Sequence, residues 1–182
     1  MEAEVEVGLY GREAVGPGGW HYGEGRMDSV RLEEVDLGME VATTGGGMLL
    51  MDEHSSSVLI MNTEFKPAVV RFPGCTQVKF GYPNDEALAG HPLYGDCSYG
   101  IYEVIGSGWS DVLQEQNRVR FPDSKWVRKR HFVIIFHESM GEFLADDVRV
   151  EGFDGEFDDM ALNVMRGALA SDMPSLLPHE EV

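Results

Sequence analysis

Short apolar runs separated by turn residues recur along the whole chain. Over residues 4–10 (EVEVGLY), Glu and Val alternate with the two-residue period of a strand that keeps one face wet. Residues 29–37 (SVRLEEVDL) put Val30 and Leu32 on one face and Val35 and Leu37 on the other. That change of register at Glu33 and Glu34 predicts a bulge. Residues 48–63 read as a hairpin, with MLLMD and SVLIMNT joined by the polar EHSSS. AVVRF (68–72) and TQVKFGY (76–82) follow, joined by the turn dipeptide Pro73-Gly74. YGIYEVI (99–105) is rich in β-branched and aromatic side chains, which suit a strand.

The clearest hairpin covers residues 131–151. Its first arm is apolar on both faces, as a central strand requires. Phe132, Ile134 and Phe136 share one face, Val133 and Ile135 the other. Met140-Gly141 is the expected turn, which sets Phe136 opposite Ala145 and Ile135 opposite Asp146.

Three segments read as helices. Asn84 caps a short one to about Ala89, with Asp85 and Glu86 suiting its positive end. Ser110 caps a second over residues 111–117. The longest runs over residues 156–170, where Phe157, Ala161, Val164, Met165 and Ala168 recur at helical spacing. The pattern predicts a mainly β domain, a sandwich or open barrel of roughly 8–10 strands, with one longer C-terminal helix and one or two short helices. The alternative is a cone-like α+β fold around a ligand. Residues 1–170 form the domain and 171–182 a tail.

Composition adds less. The 22 glycines among 182 residues exceed the usual share of about 7% and cluster at 16–25 and 45–47. The formal charge of −18 excludes nucleic acid and anionic membrane as broad partners. The start MEAEVEVGLYG has no apolar signal core, so the expected compartment is cytoplasm, with Cys75 and Cys97 as free thiols. No apolar run approaches the ~20 residues of a membrane span.

Candidate chemistry is sparse. Nucleotide-binding, nucleophile-elbow, zincin and EF-hand signatures are absent, and no metal or cofactor is expected. In the expected hairpin His137 lies diagonally from Asp146, close enough for an oriented base, with Glu138 as a second carboxylate. The plainer reading is a strand-end histidine. Asn84, Asp85, Glu86 and His91 crowd a polar loop that serves either a ligand or local capping.

Charge is segregated more sharply. Residues 118–130 hold six of the 14 basic residues, Arg118, Arg120, Lys125, Arg128, Lys129 and Arg130, with Trp126 among them. Residues 138–159 hold nine acids and one base. Either the basic segment lies against its own acidic surface, or Arg118, Arg120, Lys125, Trp126, Arg128 and Arg130 receive an anion. The leading expectation is a non-enzymatic binding module for an anionic small molecule or protein partner. An enzyme using a His/carboxylate dyad comes second. An acidic inhibitor or immunity-type protein that blocks a basic partner comes third. The sequence gives no oligomeric state.

Overall fold

The computed structural model describes residues 30–42, 46–53, 55–124 and 127–172. The strand expected at 4–10, the glycine-rich 16–25, Lys125, Trp126 and most of the tail lie outside them. The described residues form β1 (Arg31–Glu34), β2 (Met48–Met51), β3 (Ser55–Met61), β4 (Pro67–Pro73), β5 (Gln77–Gly81), α1 (Asp85–Leu88), β6 (Gly100–Ile105), α2 (Trp109–Arg118), β7 (Arg130–Ile135), β8 (Met140–Ala145), β9 (Arg149–Gly152) and α3 (Phe157–Asp172). The strands make two antiparallel sheets, ordered β1-β6-β7-β8-β5 and β2-β3-β4-β9.

The sheets pack face to face as a sandwich. Val58, Ile60, Val70 and Phe72 from the smaller sheet meet Phe132, Ile134, Phe136 and Phe143 from the larger. The Phe72 and Phe143 rings stack at 3.8 Å across the interface, tying β4 to β8. As the alternation in HFVIIF predicts, Val133 and Ile135 face away into a second cluster with Leu88, Tyr94, Tyr102 and Met140. On the far side of the smaller sheet, Leu59 and Val69 bury against Met160 and Val164 of α3. Those two residues are one turn apart on the helix, so they form one stripe.

Several local expectations are corrected. β1 pairs with β6 in regular register from Arg31↔Ile105 to Glu34↔Tyr102, with no bulge at Glu33. The serines of EHSSS do not form a turn but begin β3. Pro73-Gly74 does not close a hairpin, because β4 and β5 belong to different sheets. α2 is capped at Gly108, and Ser110 instead accepts the Lys129 amide at 3.1 Å.

The largest correction concerns the β7–β8 hairpin. Its turn is His137-Glu138, closed by the Phe136 amide on the Ser139 carbonyl at 2.9 Å, and Ile135 pairs with Met140 rather than Asp146. Gly141 is therefore a strand residue. A Cβ there would come within 2.7–2.8 Å of the Phe143 and Phe80 rings. Glycine is needed because two aromatic rings cover that point of the sheet.

Candidate functional site

The hairpin register decides which groups meet. With the turn at His137-Glu138, His137 leaves the sheet and Asp146 falls beyond its far end, level with Lys129. Eight residues of strand, about 26 Å, separate Lys129 from His137. The expected His137–Asp146 dyad does not form. Asp146 takes the Lys129 ammonium at 2.6 Å instead. His137 Nδ1 lies 2.7 Å from Glu138 Oε1, and its Nε2 lies 3.8 Å from Asp85 Oδ2. Tyr99 donates to that same Asp85 oxygen at 2.6 Å. This hydrogen bond outweighs burial and holds the Asp85 carboxyl below its usual range.

The structure thus joins His137, Glu138 and Asp85 at one end of the larger sheet. The other polar-loop candidates have local tasks. Asn84 caps α1 through the Ala87 amide, and Glu86 is exposed. His91 Nδ1 accepts from the Leu93 and Tyr94 amides, and its ring stacks on Tyr94 at 4.4 Å. Burial pushes its pKa down, which suits that acceptor role.

The basic segment meets carboxylates of its own domain. Arg128 reaches Asp111 at 2.9 Å, and Arg130 grips Glu103 and also contacts Asp147. Arg118 pairs with Glu115 one helical turn away, and Arg120 is exposed. Lys129–Asp146 and Arg130–Asp147 join the basic segment to the acidic 138–159 run, which is the internal-complementarity arrangement. The double variant Arg128→Glu and Arg130→Glu should therefore lose about 1–2 kcal/mol of stability at low salt. The loss should shrink at 1 M salt, where the screening length is about 3 Å. An unchanged urea midpoint at low salt would show that these pairs contribute nothing.

A different His/carboxylate pair lies on the outer face of the larger sheet. His131 on β7 is diagonal to Glu142 on β8, and Lys79 on β5 is directly opposite Glu142. Both dyad residues are buried, at 2% and 1% exposure. His131 Nε2 lies 3.4 Å from Glu142 Oε2. Tyr94 donates to Glu142 Oε1 at 3.1 Å, and Lys79 Nζ lies 3.5 Å from Oε2. On the other side of the ring, His131 Nδ1 is 2.8 Å from Ser107 Oγ. Burial pushes the Glu142 carboxyl upward. His131, Lys79 and Tyr94 together overcome that and hold it below its ordinary value. The diagonal relation that suggested His137 with Asp146 exists here instead, shifted by the turn.

A concave surface lies elsewhere, between α3 and the smaller sheet. A groove of about 500 Å³ runs there, floored by Leu50, Val69, Met160 and Val164 and walled by Met165 and Leu169. It opens because Ser55 and Ser57 follow Leu59's face of β3 with small side chains, leaving α3 unsupported over them. Among its described lining residues Arg71 is the only cation. Arg71 rests on Glu151 at 2.8 Å and near Ser57 Oγ at 3.5 Å. Reading EHSSS as a turn hid this site. The signal available was Ser55 and Ser57 alternating in phase with Leu59.

Among the described residues, no group of three or more His, Cys, Asp or Glu side chains could hold a metal ion, and no helix is long and apolar enough to cross a membrane. Both cysteines are free thiols, Cys75 buried and Cys97 half-buried. In comparisons with known proteins, no family model, no curated protein and no solved structure matches the chain.

Proposed function

We propose that this chain is a binding protein whose groove between α3 and the smaller sheet takes a small amphipathic molecule with an anionic head. The observation that carries this reading is the groove itself, a trough of about 500 Å³ with an apolar floor and a polar end where Arg71 sits among Ser57, Asp52 and Glu151. That size lies within the roughly 300–1,000 Å³ range of small-ligand sites, where apolar walls supply affinity and a few polar groups fix orientation. Met165 and Leu169 are 46% and 66% exposed, and a ligand in the trough would cover them. Arg71 offers a planar donor fork to a carboxylate, sulfonate or phosphate. Its present partner, Glu151, is half-exposed, so their pair is worth only about 0–1 kcal/mol and exchanges readily.

Anilinonaphthalene sulfonate has the required shape and charge. It should bind the folded protein saturably at one site. Gly167 lines the groove, and a Cβ added to it would meet nothing within 4 Å, so Gly167→Trp places an indole at the trough from an open position. That variant should weaken binding at least tenfold, a loss of about 1.4 kcal/mol. Arg71→Ala should weaken the sulfonate but not an uncharged naphthalene analogue. Thermal melts keep binding by partly unfolded protein separate. Unaltered binding in a folded Gly167→Trp protein would remove the groove as the site.

A further inference from the structure

We propose that Ser107, His131 and Glu142 form a serine acyl-transfer centre, distinct from the groove, that acts on small esters bearing an anionic group. Ser107 sits between β6 and α2, in the sequence Gly106-Ser107-Gly108-Trp109. Gly106 has φ +77°, a left-handed turn that carries the chain sharply from strand to helix. The turn holds Ser107 against β7.

One tautomer gives a direction of proton flow. Ser107 Oγ accepts the Trp109 amide at 3.3 Å and lies 2.8 Å from His131 Nδ1. With the hydrogen of the neutral ring on Nε2, 3.4 Å from Glu142 Oε2 in an electrostatic contact short of a hydrogen bond, Nδ1 accepts the Ser107 hydrogen. This is the nucleophile–base–orienter chain of serine hydrolysis with the two ring nitrogens exchanged. Trp109 packs edge-on against the imidazole at 5.0 Å and limits its rotation. Lys79 and Tyr94 hold the carboxylate from the other side.

Substrate class follows from what flanks the serine. Ser107 is 8% exposed and is the member of the chain nearest to solvent. Lys79 stands over the Trp109 ring at 4.3 Å, and Arg128 reaches the Ser107 carbonyl at 3.2 Å. Two cations beside the nucleophile of so acidic a protein favour an anionic ester. The start of the ten-residue α2 adds its positive end where negative charge develops in the attack. In the reaction the Ser107 Oγ–carbonyl carbon bond forms while its proton passes to Nδ1. Collapse breaks the ester C–O bond, and the alkoxide leaves as alcohol with that proton. Water repeats the sequence on the acyl-serine, releasing the acid and restoring Ser107.

The test is phosphorylation by a probe that needs no known substrate. The full chain is exposed to diisopropyl fluorophosphate and followed by intact mass and peptide mapping. One diisopropylphosphoryl group should appear on Ser107, as the Oγ–P bond forms and fluoride leaves. Ser107→Ala should carry none. Glu142→Gln, confirmed folded by its melt, should label about 100-fold more slowly, in line with lost general-base assistance. Glu142→Asp should recover part of the rate, which a purely structural role would not produce. A folded wild-type chain that stays unlabelled, or an adduct that persists in Ser107→Ala, overturns the proposal.

Discussion

Phe143→Ala should lower the free energy of unfolding by about 3–5 kcal/mol, the range for deleting a fully packed aromatic ring. Phe143 is 0% exposed and stacks on Phe72 at 3.8 Å with the rings 3° from parallel. Phe72 also leans on Phe132, with ring centres 6.1 Å apart. The three rings come from β4, β7 and β8, so they join the two sheets rather than two strands of one sheet. Removing Phe143 leaves a cavity that backbone on either side cannot collapse to fill, and uncovers Gly141 beneath it. Urea unfolding followed by circular dichroism measures the loss. A cost below about 1 kcal/mol would mean that the sheets are not clamped here.

Glu142→Ala should cost about 1–3 kcal/mol at pH 7, because it removes the buried carboxylate that Tyr94, His131 and Lys79 surround and leaves those groups without it. The cost should depend on pH in a defined direction. The folded protein holds the Glu142 carboxyl below its ordinary value, although burial works the other way, because His131, Lys79 and Tyr94 favour the charged form. In the unfolded chain this carboxyl titrates near about 4.3. The carboxylate therefore adds stability at every pH above about 4.3 and gives it up as pH falls through the lower folded value. Unfolding free energies of wild type and Glu142→Ala, followed from pH 7 to progressively lower pH below about 4.3, should draw closer as the pH falls. A difference that stays constant over that range would mean that the cost comes from lost packing and not from the charge. The same experiment with Glu142→Leu separates the two further, since it keeps the volume and drops the carboxylate.

These two residues also mark where sequence reasoning succeeded and where it stopped. Alternation in HFVIIF assigns Phe132, Ile134 and Phe136 to one buried face and Val133 and Ile135 to the other, and the two clusters divide that way. Strand side chains alternate whatever the neighbouring strands do, so this knowledge is local. Pairing across the hairpin is not local. Met140-Gly141 has the composition of a turn, and nothing within a few residues reveals that Phe80, some sixty positions away, lies over Gly141. Moving the turn three residues back converts a diagonal His137–Asp146 pair into a diagonal His131–Glu142 pair. A His/carboxylate dyad is legible as a type of pairing in this hairpin, while its members depend on the register.

Charge and helices divide along the same line. Asn84 as a cap and the acids in the first turn of α3 are interactions within four residues of chain, and the sequence alone determined them, whereas of its expected apolar stripe Val164 is buried, Met165 is exposed and the buried Met160 was not foreseen. It also determined a mainly β fold, through many short apolar runs between turns. The sequence showed a basic segment followed by an acidic one, but two uses of that contrast were open. Tertiary structure decided that Lys129 faces Asp146 and Arg130 faces Glu103 and Asp147, contacts spanning 17 and 27 residues. It alone set Ser107 against His131, 24 residues apart, and Arg71 at the mouth of a groove built from β2, β3, β4, β9 and α3. The physical reason is common to all of these. Burial period, capping and turn chemistry act over a few residues, whereas register and sheet-to-sheet contact are settled by which distant side chains fill the same space.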